Sequence, residues 1–195
     1  MSKQSLAASI AALALSANLF AADAPSAKPA KPAAPAAAAP DAAPPELAQL
    51  DFFLGNWNCS GKTFASPMGP EHATVGTVHT VKSVGDRWVH VNYDEKKTAA
   101  NPTPFHVGVY MGYDAAKKEF VEGCVDNFGG YCTQSSKGWN GDTLAFEGTV
   151  NADGPAGSRD TFVKKGAGEL THRGEMQGPD KQWVKTDEET CRKGK

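Results

Sequence analysis

The chain is short of the residues from which most active sites are built. Among 195 residues there are five histidines and four cysteines. Neither a Cys-x-x-Cys nor a close Cys/His cluster occurs, which argues against a zinc site and leaves no metal implied. Ser135, Ser136 and Ser158 lack a Gly-x-Ser-x-Gly setting, so no nucleophile elbow is expected. Glu122 and Asp126 fall on one face of a strand, but about 13 Å apart by strand rise, too far for a paired acid and base. Charge of one sign is also lacking. Twenty Lys and Arg stand against 22 Asp and Glu, a net charge of −2. No basic face is evident that could neutralise phosphates, so nucleic acid is excluded as a partner. Nor is there a long apolar run: residues 6–20 make the longest, and its roughly 15 residues fall short of the roughly 20 that span a bilayer.

What is present begins with that run. One early cation, Lys3, precedes it and small residues follow through Ala24, the layout of a secretory signal peptide over residues 1–21. No cysteine lies near the cleavage region to take a lipid. Export places the four cysteines in an oxidising compartment, periplasmic or secreted, where they read as bridges. Residues 22–45 are almost entirely Ala, Pro, Lys and Asp, with 7 of the 13 prolines. Such a segment cannot bury a core and reads as a disordered, extended linker. Residues 46–195 remain, a length that makes one domain able to bury close to 70% of its unfolded surface.

Within that domain, Leu47, Leu50, Phe53 and Leu54 follow Pro44-Pro45, the spacing of a short amphipathic capping helix over 44–54. From Trp57 the pattern changes to short period-2 segments broken by turn residues. It predicts strands near 57–64, 73–84, 87–94, 105–113, 119–126, 130–139, 143–150, 159–165, 169–176 and 183–192. Gly85-Asp86, Asn140-Gly141 and Gly166-Ala167-Gly168 are among the turn signals. Ten strands joined by short turns make an all-β antiparallel up-and-down meander. Above about eight strands such a sheet tends to close and remove its edges. A closed barrel of 8–10 strands is the expected fold, with a two-sheet sandwich as the alternative.

Cys124 and Cys132 flank Asn127-Phe128-Gly129, and a hairpin pairing Asp126 with Gly130 sets them opposite one another. Cys59 lies in the first strand and Cys191 in the last. Closure makes those strands neighbours, so a Cys59–Cys191 bridge would weld the seam.

The domain opens on Leu50-Asp51-Phe52-Phe53-Leu54-Gly55-Asn56-Trp57 and closes on Thr190-Cys191-Arg192-Lys193. A Gly-x-Trp on entry to the first strand resembles lipocalins and their calycin relatives, in which a late Arg covers the Trp ring and plugs the closed end. More closely, the chain resembles an uncharacterised bacterial calycin-like family, a domain of unknown function. That pattern runs from Leu-x-x-Leu-x-Gly-x-Trp through Met68-Gly69-Pro70, Trp88 after Gly-Asp, and Gly112-Tyr113-Asp114, to an aromatic-x-Arg strand. Thr190 stands where the aromatic is expected. The resemblance implies a calycin-like barrel, a Trp57–Arg192 plug and no established activity. Alternation sets a condition on the plug: if Cys59 and Cys191 share the Trp57 face, Arg192 must reach round the barrel end.

Three strands each carry a mid-strand histidine: His79, His90 and His106. With Gly85-Asp86 as the hairpin loop, His79 pairs with Asn92 and shares a face with His90. A sheet-borne zinc or haem site and three locally bonded histidines are the competing readings, and the second is preferred. Trp88, His90 and Asn92 lie on one face of their strand, Val89, Val91 and Tyr93 on the other, and either could line a pocket. The candidate ligand-binding residues are Trp88, His90, His79, Tyr110 and Glu122. Asp187-Glu188-Glu189 reads as a solvated edge.

The leading expectation is an exported, non-enzymatic barrel holding a small apolar or amphipathic ligand in its lumen, without a cofactor. The alternative is an interaction module with a packed lumen, presented to an envelope protein partner. An enzyme is third, for want of a recognisable acid, base or nucleophile.

Overall fold

Alternation of apolar and polar residues carries ten segments into strands, and the turn residues between them decide where each one ends. The computed structural model describes residues 42–66, 69–152 and 154–194. A 3-10 helix, Pro45–Phe53, leads into β1 (Gly55–Thr63), β2 (His72–Ser83), β3 (Trp88–Glu95), β4 (His106–Asp114) and β5 (Glu119–Asp126). Then follow β6 (Tyr131–Ser136), β7 (Thr143–Asn151), β8 (Pro155–Gly166), β9 (Glu169–Gln177) and β10 (Trp183–Lys193). Every strand pairs antiparallel with its sequence neighbours, and β10 returns to β1, closing the barrel. The expected signal peptide and nearly all of the linker lie outside the described residues, as does Met68 of the Met-Gly-Pro loop. Among the described residues no helix is long and apolar enough to cross a membrane.

The capping helix differs from the sequence expectation in its period. Leu47, Leu50 and Phe53 are its buried residues, spaced by three, and three residues per turn is the 3-10 geometry. An α-helix would have rotated Phe53 off that stripe. Pro45 at the first turn suits a position whose N–H has no partner. The chain then turns into β1 through Gly55 at φ 109°, a conformation open to glycine and strained for other residues.

Two strand boundaries moved. β8 starts at Pro155, because Ala156, Gly157 and Ser158 extend the ladder against Val150, Thr149 and Gly148. β6 ends at Ser136, because Trp139 leaves the sheet to pack on the helix, where its Nε1 donates to the Gln49 carbonyl at 2.9 Å. The hairpin of β2 and β3 has the expected register, His79 opposite Asn92.

Both bridges form between residues directly opposite in register, Cys59–Cys191 across the seam and Cys124–Cys132 across the β5–β6 hairpin. No free cysteine is left. Their inward direction, carried round the ladders, fixes the lumen face of every strand. Trp57 and Cys59 point in; so do Val78, Tyr93, Val107, Cys124 and Cys132, each opposite an inward neighbour.

At the helix end the interior is solid. Leu50, Phe53, Trp57, Met111, Phe120, Leu144, Phe146 and Leu170 are buried together. Trp57 Nε1 donates to the Phe53 carbonyl at 2.8 Å, and the Phe53 ring lies 5.2 Å from Phe162 and 5.8 Å from Trp139. Fully burying side chains of this size contributes about 1.5–3 kcal/mol each. Three inward-parity lysines ring this closed end. Lys164 Nζ sits 3.6 Å from the Trp139 ring centre, Lys193 Nζ 5.0 Å from that of Trp57, and Lys82 Nζ 3.1 Å from Asp51.

Candidate functional site

Above that floor the barrel changes character, because the inward positions of β5, β6, β8, β9 and β10 are polar. Opposed in register are Glu122 and Gln134, Phe162 and His172, Gly174 and Asp187, His172 and Glu189. His172 is the centre. Its Nε2 lies 3.0 Å from Asp160 Oδ1 and its Nδ1 3.1 Å from Asp187 Oδ2. Burial opposes charging of the ring, but the two carboxylates outweigh it and hold His172 well above an ordinary histidine. Asp187 responds in the other direction: burial disfavours its charge, yet His172, the Thr186 hydroxyl and the Gly174 backbone lower its pKa. The set is an imidazolium held between two carboxylates.

Glu122 lies beside it. It is only 7% exposed, and burial, reinforced by the charge of Asp160 and opposed by His172, raises its pKa well above the carboxylate range. Its Oε2 has no hydrogen-bond partner. Gln134, opposite it and 6% exposed, donates through Nε2 to Ser158 Oγ and Asp160 Oδ2, both at 2.8 Å, while its Oε1 is also unpartnered. Across the lumen, Glu189 Oε1 accepts from the Tyr93 and Thr74 hydroxyls, each at 2.7 Å. Burial and then the Glu189 charge push the Tyr93 hydroxyl far above an ordinary tyrosine. Gly76 makes this contact possible, since a Cβ there would lie 2.6 Å from the Tyr93 ring.

At the rim, Glu95 Oε2 accepts from Asn101 Nδ2 at 2.8 Å and from the Phe105 backbone N–H at 2.9 Å. His72 Nε2 comes within 3.3 Å of Glu95 Oε1 without a hydrogen bond. Its Nδ1 lies 3.0 Å from the Pro70 carbonyl, and its Nε2 3.2 Å from Asn101 Nδ2.

This half of the lumen is not solid. His172, Asp160 and Asp187 face the barrel interior, yet their side chains keep 22, 27 and 30% of their exposure. Val78, Val91, Val107, Val109, Val150 and Met176 likewise point inward and are only half-buried.

The expected site residues divide between the two faces. Glu122 faces the lumen. Trp88, His90, His79 and Tyr110 have outward parity and do not line it. His79 Nδ1 is 2.7 Å from Asn56 Oδ1, His90 stacks on Tyr110 at 4.3 Å, and His106 Nδ1 pairs with Asp94 at 2.9 Å. Each outer histidine thus has its own local contact, and the three do not gather into a ligand set. Trp88 and Tyr110 do meet with Val121, Val125 and Tyr131 along an outer apolar groove of about 640 Å³. The glycine at position 112 takes the Trp88 ring, 2.7 Å from where a Cβ would stand. Asp187 and Glu189 correct the expectation of a solvated edge: both face the lumen, and only Glu188 between them points out, to Lys185.

A family model described as a protein of unknown function, DUF1579, matches residues 43–193. The chain belongs to this family. No curated protein matches the sequence. Among solved structures, the crystal structure of Rv2717c from M. tuberculosis is similar, with a TM-score of 0.60 at 12% identity over 79% of this chain and 100% of that one. At that identity the likeness is one of fold. In this DUF1579 barrel the expected Trp57–Arg192 plug is replaced. Arg192 points outward and its Nε pairs with Glu169 Oε2 at 2.9 Å, while Lys193, one residue on, reaches over Trp57. Parity is the reason. Cys191 must face in to meet Cys59, and that turns its neighbour Arg192 out.

The luminal cluster went unseen in the sequence apart from Glu122, because its members are spread over seven strands. One signal was available. Alternation counted from Cys124 puts Glu122 inside, and the hairpin then puts Gln134 inside.

Proposed function

We propose that this protein is an exported, non-enzymatic barrel that takes one small amphipathic molecule into its lumen. The observation that carries this reading is the division of the interior into a solid aromatic floor and a wetted upper wall lined by half-buried valines and polar groups. A ligand pocket needs apolar surface with a few placed polar groups, and the upper half supplies both. Two bridges between opposed strands agree with an oxidising compartment, and the leader at residues 1–21 with export into the periplasm. A binding role is favoured over catalysis because no nucleophile–base pair is assembled among the described residues. Both nitrogens of His172 are taken by carboxylates, and Ser158 Oγ accepts from Gln134.

The test is a fluorescence titration with the neutral apolar reporter N-phenyl-1-naphthylamine, on wild type and on Val109→Trp, which fills the lumen from β4. Saturable one-to-one binding that Val109→Trp abolishes is expected. Binding that survives the filled lumen, or no saturable binding by wild type, would overturn the reading. The outer groove supports a second reading, an interaction surface for an envelope protein, since Tyr110, Val125 and Tyr131 are exposed along it. Under that reading Val125→Lys abolishes capture of a partner from envelope extracts, while Val109→Trp leaves it intact.

A further inference from the structure

The charges of the barrel are sorted by depth. Among the described residues six acidic side chains have inward parity above the floor, those of Glu95, Glu122, Asp126, Asp160, Asp187 and Glu189, of which Asp126 is bonded into its own turn. The basic groups facing them are two imidazoles, His72 and His172, while the inward lysines, Lys82, Lys164 and Lys193, all sit at the closed end. An excess of negative charge inside a barrel is costly without a counterion. Among the buried oxygens without a hydrogen-bond partner, Glu122 Oε2 and Gln134 Oε1 stand on neighbouring strands and directly opposed, and Glu95 Oε1 lies unpartnered at the rim. An unmade hydrogen bond at a site more than nine-tenths buried is costly. A protonated Glu122 can donate toward Gln134 Oε1, and once Glu122 is ionised both oxygens need a donor that is not part of the fold.

We propose that the lumen holds an organic ammonium, whose N–H groups donate to Glu122 Oε2 and Gln134 Oε1 and whose charge is balanced by the carboxylates of the upper wall. This rests on the lumen being a binding site, as proposed above, and names the chemistry of the ligand's polar end. A bare metal ion fits less well. A metal needs ligand atoms clustered around one point, and Glu122, Asp160, His172 and Asp187 do not form such a cluster. Among the described residues one group of three is that compact, Cys59, Glu189 and Cys191, and its two sulfurs are bonded to each other. A set spread across β5, β6, β8, β9 and β10 suits a cation carrying several divergent donors. The hydrocarbon part then meets Val91, Val109 and Met111, with the aromatic floor beneath.

Binding should move a proton. In the empty lumen burial, and then the charge of Asp160, raise the Glu122 pKa well above the carboxylate range. An ammonium reverses that balance, so Glu122 ionises as the ligand enters. The other titratable groups facing this space are Asp160, His172, Asp187, Glu189 and Tyr93, with Glu95 and His72 at the rim; the pKa of His172 is raised and that of Asp187 lowered.

The experiment is calorimetric titration of the full-length, disulfide-bonded protein at pH 7.5 with three probes on one skeleton: 3-phenylpropylammonium, 3-phenylpropanol and 3-phenylpropanoate. Two buffers of different ionisation enthalpy count the protons released. The ammonium is expected to bind at least about tenfold more tightly than the alcohol and to release a measurable fraction of a proton, and the carboxylate to bind not at all. Glu122→Gln should abolish the proton release and most of the preference for the ammonium over the alcohol. Gln134→Leu should weaken the ammonium without touching proton release. If the alcohol equals the ammonium, or zinc alone binds stoichiometrically and competes with it, the ammonium assignment falls and the lumen remains a binding site. If none of the three probes binds while the naphthylamine reporter does, the same assignment falls alone. If the reporter fails as well, both readings fall.

Discussion

Removing the imidazole from the luminal triad tests the electrostatic account directly. In His172→Gln the carboxylates of Asp160 and Asp187 keep their places but lose the charge they share. Breaking a buried ion pair costs about 3–5 kcal/mol when the orphaned charge is fully desolvated. Both carboxylates retain more than a quarter of their exposure toward the lumen, so the expected loss is smaller, about 2–3 kcal/mol. For a domain of this size that corresponds to a fall in Tm of about 5–10 °C. The pH dependence gives the sharper signature. His172 has a raised folded-state pKa, so its contribution is complete below the unfolded value of 6.5 and is lost as pH rises through the folded value. Within that window wild-type stability falls by up to about 1.4 kcal/mol per pH unit for this one proton. The variant lacks that slope. The gap between the two proteins should therefore be widest between about pH 5 and 6.5 and shrink as pH rises above that. Urea unfolding followed by tryptophan fluorescence at half-unit steps from pH 4 to 9 measures both quantities. Parallel profiles, or a loss below about 0.5 kcal/mol at pH 6, would refute the reasoning, since surface substitutions alone produce changes of that size. Adding Asp160→Asn and Asp187→Asn to the variant should return much of the lost stability.

Three further outcomes follow from the fold. Leu50 is fully buried under the aromatic floor, and Leu50→Ala should cost about 2–5 kcal/mol in urea unfolding and blue-to-red shift the tryptophan emission as Trp57 gains water. Replacing both Cys59 and Cys191 by Ala opens a loop with a sequence separation of 132, for which the chain-entropy model gives about 5 kcal/mol; the Cys124–Cys132 loop, with a separation of 8, gives about 2.6 kcal/mol, so the first pair should lower the urea midpoint roughly twice as far. Lys193→Ala should cost about 0.5–1 kcal/mol through the lost contact over Trp57, whereas Arg192→Ala, which removes only an exposed pair, should change stability by less.

The fold was legible because its punctuation is local. Gly85-Asp86 placed His79 opposite Asn92, and the short loop at Asn127-Phe128-Gly129 placed Cys124 opposite Cys132; both registers needed only neighbouring residues. The inner face was harder to read. On β3 the sets Trp88/His90/Asn92 and Val89/Val91/Tyr93 are each part aromatic, and composition alone does not say which points inward. Trp57 decides it through two ladders, by way of Val78 to Tyr93, so the answer sits 36 residues from the question. β10 was obscured further by an irregularity between Lys185 and Asp187, which breaks simple alternation just before the two acidic residues that face the lumen. Charged residues on a last strand look like a wet edge until the strand is known to close a barrel.

The seam also says something about the order in which this molecule can come together. Nine of the ten strand pairings are between consecutive segments and can form as the chain lengthens, each hairpin on its own account. The tenth joins β1 to β10 and cannot begin until the last few residues have been made. Until then β1 and β10 are both bare edges, and the polar groups of β9 and β10 lack the far wall that encloses them. Closure is thus the slow, non-local event of assembly, and oxidation of Cys59 with Cys191 turns it from a reversible meeting of two edges into a latch. A chain cut short before Trp183 would carry nine of the ten strands and none of the enclosure.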